Sequence, residues 1–352
     1  MSNNKIYEAL TYDDVLLVPQ YSNIESRSQI SLVTDMGNGL VLGLPIIASP
    51  MDTVSGVSMC NAIDSAGGVG IIHRYNTVEQ QTQIAKDSIE AGVRNVGAAI
   101  GVTGDYIERS QSLYDAGVRT LCVDVAHGHH ILVKNAIGRL KEIFGDNIHL
   151  MAGNVATLEG FDALASWGAN SIRCNIGGGS ICTTRVQTGH GVPGLHTLFE
   201  CAASEFAGDV KIIADGGIRN SGDIVKALAA GADAVMLGSM LSGTSESCGQ
   251  IVYTYNPVTG ERETMKAYRG MASAEAQNDW RGRTSSLEGV ATQVPFKGDV
   301  GPILDKLEGG IRSGLSYSGA TTVAELHSKA KFIRQTNAGR VESGAHVLTN
   351  RN

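Results

Sequence analysis

The sequence predicts an α/β fold, a closed barrel of eight strand–helix units followed by a long insertion. Eight short apolar runs rich in β-branched residues recur along the 352-residue chain. Glycines or polar residues and then a helical stretch follow these runs, and several helical stretches end in Ala-Gly, which suits a helix C-cap. Continuous apolar runs are typical of strands buried on both faces. Eight parallel strands with intervening helices close into a barrel.

The predicted strands differ in sequence but share this pattern. In chain order they are LPIIASP from Leu44, GVGIIHR from Gly68, NVGAAIG from Asn95, TLCVDVAHG from Thr120, IHLMAGNVA from Ile148, SIRCNIGGG from Ser171, VKIIADGG from Val210 and DAVMLGS from Asp233. Three of the predicted helices are VEQQTQIAKDSIEAG, DYIERSQSLYDAG and SGDIVKALAAG. An open doubly wound sheet is the alternative, but it normally carries one glycine-rich fingerprint after its first strand. Here glycine-rich turns follow strands throughout.

The spacing of these units predicts one catalytic domain over residues 1–352, with its barrel core over about 44–242. Residues of about 244–313 are rich in glycine, serine and charge. They are predicted to form an insertion after the last strand, a flap on the face where barrel enzymes place their active sites. A C-terminal helix and a polar tail are predicted for about 320–352.

The composition argues against several classes of partner. The formal net charge is −7 and no block of lysine or arginine stands out, which argues against nucleic acid and anionic membranes. No apolar stretch approaches the roughly 20 residues that cross a bilayer. The N-terminus lacks the features of a signal peptide, so a cytoplasmic protein is predicted. The six cysteines form no CxxC pair, which argues against a zinc site or a disulfide framework.

Glycine-rich turns at three strand ends predict a phosphate site. They are Gly177-Gly178-Gly179-Ser180, Gly216-Gly217 and Gly238-Ser239. The last two follow the seventh and eighth strands, where barrels commonly bind phosphate through backbone N–H groups. Asp215 directly precedes one of these turns, and its carboxylate would accept hydrogen bonds from a vicinal diol such as that of ribose. A simple helix cap is the alternative role for Asp215.

Cys182 is the predicted nucleophile. It follows the first glycine turn in GGGSICTTR, where backbone N–H groups and Arg185 would lower the pKa of its thiol. Thr183 and Thr184 place hydroxyl groups beside it. A cysteine in a polar loop at the active face of a barrel suits nucleophilic catalysis. The other five cysteines are predicted to be buried small residues.

Six ordered motifs make the chain resemble the IMP dehydrogenase / GMP reductase family, whose fold is a TIM barrel. They are SPMDTV, AGNVAT, GGGSICTTR, ADGGIR, MLGSML and YRGM. The resemblance runs from LTYDDVLL at Leu10 to KFIR at Lys331. It implies a purine nucleoside monophosphate (GMP or IMP) as substrate, a nicotinamide cofactor and a homotetramer.

The resemblance also implies residue roles. Cys182 attacks C2 of the purine to form a thioimidate, while Thr184 and Glu288 transfer a proton. The substrate-binding set is Ser49, Met51, Asn154, Ser180, Arg185, Asp215, Gly217, Gly238, Ser239, Tyr268, Gly270 and Met271. The cofactor-binding set is Asp124, Ala126 and His127. Backbone carbonyls of Gly177, Gly179 and Cys182 would hold potassium, completed in dehydrogenases by a Glu-Ser-His stretch of a neighbouring subunit.

Two departures from the family pattern fall near the expected potassium site. The family usually has GIGPGS, whereas this chain has NIGGGS, with Asn175 in place of a glycine and Gly178 in place of a proline. Loss of the proline is predicted to loosen the loop. The tail that matches Glu-Ser-His reads Glu342-Ser343-Gly344.

The two branches of the family share the covalent intermediate and differ in its use. Dehydrogenases oxidise IMP with NAD⁺ and hydrolyse the thioimidate to XMP, helped by an Arg-Tyr pair on a mobile flap. Reductases expel ammonia from GMP and take hydride from NADPH, without such a pair. This chain has no regulatory CBS module after its second strand and no Arg-Tyr between YRGM and Glu288. Its DVA and VPFKGDV segments also resemble reductases.

Other segments resemble dehydrogenases, namely TYDDVLLVP, SPMDTV, GIIH, RSGLSYSG and VESGAH. Arg281 or Arg283 would then replace the flap arginine, and Arg74 stands where reductases usually carry lysine. We predict an NADPH-dependent GMP reductase. The first alternative is an IMP dehydrogenase using NAD⁺. The second is a non-catalytic nucleotide-binding barrel, against which the intact Cys182, Thr184 and Glu288 argue.

Overall fold

A computed structural model of the chain describes residues 6–344 and contains the predicted barrel. Its eight parallel strands pair in sequence order, and the eighth closes on the first. They are β1 (Ile46–Ala48), β2 (Val69–Ile72), β3 (Val96–Ile100), β4 (Thr120–Asp124), β5 (His149–Val155), β6 (Ser171–Cys174), β7 (Lys211–Asp215) and β8 (Ala234–Leu237). Each lies within one of the eight apolar runs, so the prediction of the (β/α)8 barrel is confirmed.

Helices connect the strands. They are α1 (Val57–Ser65), α2 (Val78–Glu90), α3 (Tyr106–Asp115), α4 (Ile131–Phe144), α5 (Leu158–Trp167), α6 (Thr184–Thr188), α7 (Gly194–Ala202) and α8 (Ser221–Ala229). All of them except α6 cover the outside of the barrel. The predicted Ala-Gly ends are helix ends here, as at Gly92 and Gly117, which have φ of 93° and 104°. A residue with a Cβ would be strained in this left-handed region. The chain passes from β2 through α2 to β3 without an inserted domain.

Two apolar layers hold the barrel together. One lies between strands and helices, and the other fills the barrel interior with side chains such as Ile71 and Met151. The antiparallel strands Thr34–Asp35 and Val41–Leu42 form a hairpin whose apolar residues join the interior layer. Its Gly37 carbonyl contacts His149 at the start of β5. The hairpin therefore closes the end of the barrel opposite the carboxyl ends of the strands.

The segment after β8 is more regular than its composition predicts. Strands Ile251–Tyr255, Arg262–Arg269 and Ala291–Pro295 form an antiparallel sheet, and α9 (Ala274–Arg281) lies between the last two. The eighth outer helix, α10 (Gly301–Tyr317), begins inside the stretch predicted as insertion, so the boundary near residue 313 was placed too late. Apolar residues of α10 face the barrel while Gly310 and Gly314 pack on α8, which hides the helical periodicity in the sequence.

The ends of the described chain meet on the outside of the barrel. Strand Val15–Leu17 pairs antiparallel with Phe332–Arg334, and helices α11 (Val323–Lys329) and α12 (Asn337–Glu342) flank the latter. The last part of the predicted C-terminal tail, residues 345–352, lies outside the described residues. Over residues 6–344, no helix combines the length and apolar character that a membrane span requires.

His149 is a buried base that should make folding sensitive to acid. Its Nδ1 lies 2.9 Å from the Gly37 carbonyl and its Nε2 lies 2.7 Å from the Ser171 hydroxyl, and burial lowers its pKa from 6.5 to about 4. Between these pH values the unfolded chain binds a proton that the folded chain does not. Stability contributed by neutral His149 is therefore present above pH 6.5 and lost as the pH falls towards 4.

We expect this loss to reach about 2 kcal/mol at pH 5, at 1.4 kcal/mol per pKa unit. The measurement is the free energy of unfolding in urea at pH 7.5 and pH 5. His149→Gln should reduce the pH dependence by that amount, whereas the exposed His129→Gln should leave it unchanged. An unaltered pH dependence in His149→Gln would assign the acid sensitivity to other groups.

Candidate functional site

A cavity of about 570 Å³ opens at the carboxyl ends of the barrel strands and is covered by the segment after β8. This size suits a nucleotide-sized ligand. All the residues predicted from the sequence to bind or react with a ligand line the cavity, except Arg185 and His127. The barrel strands supply the floor, and the Tyr268–Gly289 segment supplies part of the roof.

Cys182 begins a chain of hydrogen bonds. Its thiol donates to the Thr184 hydroxyl over 3.1 Å, and that hydroxyl donates to Oε2 of Glu288 over 2.7 Å. Cys182 is partly exposed. Four of the other cysteines are buried as predicted, but the prediction was wrong for Cys248, which is exposed. The arrangement offers a proton path from a nucleophile to a carboxylate, as acid–base chemistry requires.

The flap holds Glu288 in place through backbone pairing with the cysteine loop. The Thr183 N–H donates to the Glu288 carbonyl over 2.8 Å, and the Val290 N–H donates to the Ile181 carbonyl over 3.1 Å. Cys182 and Gly289 form an antiparallel bridge. Residues more than 100 positions apart are thereby fixed on one short sheet-like contact. The sequence alone does not reveal this pairing.

The three glycine turns meet on one side of the cavity. Gly216 and Gly217 both have positive φ, and a Cβ on Gly216 would lie 3.2 Å from the Gly179 nitrogen. Glycine therefore permits the two turns to approach each other closely. The Ser180 hydroxyl lies 3.3 Å from the hydroxyl of Tyr268, and burial raises the pKa of that phenol. These small residues leave room for an anion at exposed backbone N–H groups.

A buried arginine that was not predicted from the sequence lines the floor of the cavity. Arg173 donates from Nη2 to Asp215 over 2.8 Å and from Nη1 to Asp124 over 2.5 Å. Burial would lower the pKa of Arg173, but Asp215 and Asp124 outweigh it and raise that pKa above its ordinary value. Asn154 also donates to Oδ2 of Asp215, over 2.8 Å. The sequence feature that could have identified Arg173 is its charge inside the otherwise apolar run SIRCN.

At the other side of the cavity, aromatic and cationic side chains form a second group. Tyr75 and Trp280 stack with ring centroids 4.2 Å apart, and the guanidinium of Arg74 lies 5.5 Å from each ring. Arg281 also lines the cavity, and donates to Gln277 and Ser285. Trp280 comes from α9 and Tyr75 from the loop after β2, so this stack joins flap and barrel. Neither Tyr75 nor Trp280 was predicted from the sequence to belong to the site.

Two predicted binding residues lie outside the cavity wall. Arg185 donates to the Val192 carbonyl over 2.6 Å and packs against Gly177 and Gly191, so it stiffens the loop after β6 instead of facing Cys182. His127 is exposed beside His129, although its neighbour Ala126 lines the cavity. Partial burial and the nearby histidines lower the pKa of His127.

The predicted potassium ligands are backbone carbonyls, and one of them already has a partner. The Gly179 carbonyl accepts the Cys182 N–H over 3.1 Å, which leaves one lone pair for a cation. Within residues 6–344 no group of three or more His, Cys, Asp or Glu side chains is arranged to hold a metal. Potassium binding and the homotetramer both stay predictions.

Comparisons with known proteins identify the family of this chain. Residues 9–346 match the model of the IMP dehydrogenase / GMP reductase domain. An inosine-5′-monophosphate dehydrogenase from Nitrosopumilus maritimus is 34% identical over 96% of this chain and 98% of its own. A GMP reductase from Leishmania major is 30% identical over 97% of each chain. Both alignments are longer than 352 positions, so those relatives carry segments that this chain lacks.

A solved structure shares the fold throughout. It is a GMP reductase from Trypanosoma brucei, a Cys-to-Ala variant in complex with guanosine 5′-monophosphate. It superimposes with a TM-score of 0.90 at 31% identity, covering 97% of this chain and 98% of that one. Similar chains thus bear both names, and their identities to this chain fall in the same range.

Proposed function

This chain belongs to the IMP dehydrogenase / GMP reductase family and so is an oxidoreductase of purine metabolism; on that premise we propose that it reduces GMP to IMP. The reaction is GMP + NADPH + 2 H⁺ → IMP + NADP⁺ + NH₄⁺. The observation that favours the reductase is that Gln277 and Ser285 hold Arg281 within the flap. The unbroken hydrogen-bond path from Cys182 through Thr184 to Glu288 supports the covalent chemistry common to both branches. It ends on a carboxylate able to hand a proton to a departing amine.

Binding of GMP would use both the turns and the polar floor of the cavity. The phosphate fits the backbone N–H groups near Ser180, Gly217 and Ser239, beside the hydroxyl of Tyr268. The ribose diol fits Asp215, whose Oδ2 is held by Arg173 and Asn154 while its other oxygen remains for the ligand. The structure of the GMP-bound relative supports a purine nucleoside monophosphate in this cavity.

In the first chemical step the sulfur of Cys182 bonds to C2 of the purine. The thiol proton passes through the Thr184 hydroxyl to Glu288, and a proton from this path reaches the 2-amino group. The C2–N bond then breaks and ammonia leaves, which produces a thioimidate on Cys182. When bound, the reduced nicotinamide supplies the hydride that C2 needs before the Cys182 sulfur departs.

The residues at the far side of the cavity fit a dinucleotide. Asp124 and Ala126 lie beside the expected purine position, and the Tyr75–Trp280 stack gives an aromatic surface for a ring. Arg74 supplies a cationic group suited to phosphate oxygens. These features suit NADPH, and they suit NAD⁺ as well.

Thr184→Val tests the proton path while preserving side-chain shape. Without the hydroxyl the thiol has no link to Glu288, so we expect kcat to fall about 10²- to 10⁴-fold, with GMP affinity within about threefold. Steady-state kinetics and nucleotide titration measure both quantities. Thr183→Val is the matched control, because the Thr183 side chain takes no part in the path, and it should retain most of the activity.

A paired absorbance assay tests the reaction itself. One sample holds GMP with NADPH, and the other holds IMP with NAD⁺ and potassium. Loss of NADPH with formation of IMP and ammonia would support the reductase. Growth of NADH with formation of XMP would overturn it in favour of the dehydrogenase.

One observation favours that alternative, in which IMP + NAD⁺ + H₂O gives XMP + NADH + H⁺. Arg281 lines the cavity and stands on the flap, where a water-activating arginine would be required. Its Nη2 is already engaged by Gln277 and Ser285 within the flap, which is why the reductase is preferred. Arg281→Lys should abolish a dehydrogenase and have little effect on a reductase.

A further inference from the structure

Asn175 combines a strained backbone with a buried polar side chain. It follows β6 and has φ of 148°, a region that residues with a Cβ rarely adopt. Only 4% of its surface is exposed, and its Oδ1 has no hydrogen-bond partner among the described residues. Both properties are unfavourable, and such costs are retained where a residue has a functional role.

At Gly178, by contrast, the backbone is unstrained but the space for a side chain is occupied. Its φ lies outside the left-handed region, so its own backbone does not require glycine. A Cβ built on Gly178 would overlap Nδ2 of Asn175 and lie 2.8 Å from the Cγ and Oδ1 atoms of that side chain. A residue larger than glycine at position 178 would therefore clash with the Asn175 side chain where that side chain now lies.

The two departures in NIGGGS, Asn175 and Gly178, therefore compensate each other. A side chain at position 175 fills the space that a side chain at position 178 would occupy, and one segment cannot hold both. The predicted loosening of the loop by loss of the proline at 178 is therefore opposed by Asn175, which fills the same space.

The position of Asn175 connects three parts of the site. Its Nδ2 lies 3.4 Å from the Gly216 carbonyl, and a Cβ on Gly194 at the start of α7 would lie 3.1 Å from the same nitrogen. Its backbone carbonyl accepts a hydrogen bond from Asn154 over 3.1 Å. The amide therefore packs between the cysteine loop, residues 177–182, and the turn after β7.

We propose that Asn175 is a positioning residue, which holds the cysteine loop against the Gly216–Gly217 turn, and that Gly178 supplies the space it needs. The relation to turnover rests on the proposed function, but the packing relation does not. Asn175 acts through the backbone of this loop, which sets where Cys182 points. The pair should consequently behave as one unit in mutagenesis.

The test is a double-mutant cycle of Asn175→Gly, Gly178→Pro and the double variant, in a Cys248→Ser background that leaves Cys182 as the accessible thiol. The readouts are the rate of Cys182 alkylation by iodoacetamide, the Kd for GMP and kcat. Gly178→Pro alone should weaken GMP binding and change the alkylation rate by about tenfold or more. The double variant should return to within about threefold of the parent.

Additive effects in the double variant would overturn the proposal, because they would mean that the two positions act independently. Gly178→Ala is the milder partner if Gly178→Pro fails to fold, and recovery of folding on adding Asn175→Gly then supports the pairing. Gly138→Ala is the control, since a Cβ there meets no atom within 4 Å. Alkylation and GMP binding are measured without turnover. This test therefore remains valid even if the protein proves not to be a reductase.

Discussion

Replacing Cys182 with alanine should reduce turnover at least about 10³-fold while leaving nucleotide binding within a few-fold of the parent. Removal of the sulfur deletes the atom that bonds to C2, and an essential nucleophile typically contributes at least this much to kcat. Cys182 is partly exposed in the cavity and has a hydrogen-bond path for its proton. The measurements are kcat in the GMP and NADPH assay and Kd for GMP by calorimetry.

Cys248→Ala is the matched control, because this thiol is exposed but lies outside the cavity. It should retain full activity. If Cys182→Ala keeps more than about a hundredth of the parent rate, the covalent scheme is wrong and hydride would have to reach C2 without prior attack.

Replacing Arg173 with methionine should destabilise the fold by about 3–5 kcal/mol and weaken GMP binding as well. The guanidinium is 6% exposed and neutralises Asp124 and Asp215, whose side chains are mostly buried. Methionine preserves much of the volume but leaves Asp215 without a cation and Asp124 with only the longer 3.7 Å contact to Arg74, and breaking a buried ion pair on one side costs this much. Urea unfolding measures the stability. GMP titration measures how far the affinity falls when Arg173 no longer holds Asp215.

The exposed pair of Arg139 and Glu142 on α4 supplies the control. Arg139→Met removes the same functional group from a solvated position and should change stability by less than about 1 kcal/mol. Similar effects from Arg173→Met and Arg139→Met would show that the buried carboxylates do not depend on Arg173.

The barrel was predictable because its strands are buried on both faces. Each strand therefore appears in the sequence as a short, mainly apolar run. The glycine turns and Cys182 were likewise visible, since their positions follow the ends of these runs. Local chemistry at strand ends was therefore enough to select most of the residues that line the cavity. Arg185 was an exception, because proximity in sequence to Cys182 does not decide which way a helix directs its side chains.

The sequence could not reveal the partners that depend on distant contacts. Arg173 was hidden in an apolar run, and its role requires two carboxylates from β4 and β7. The stack of Tyr75 on Trp280 joins segments about 200 residues apart. The sheet and α9 in the flap were missed because their strands alternate polar and apolar residues in a segment whose composition suggests an irregular loop.

The central claim is that Cys182 displaces ammonia from GMP before any hydride is delivered. Its most direct test uses GMP labelled with ¹⁵N at the 2-amino group, incubated with the protein and unlabelled ammonium in the absence of any nicotinamide. The account predicts loss of ¹⁵N from GMP through the reversible thioimidate, and no loss with Cys182→Ala. Retention of all the label by a preparation that reduces GMP once NADPH is added would contradict it.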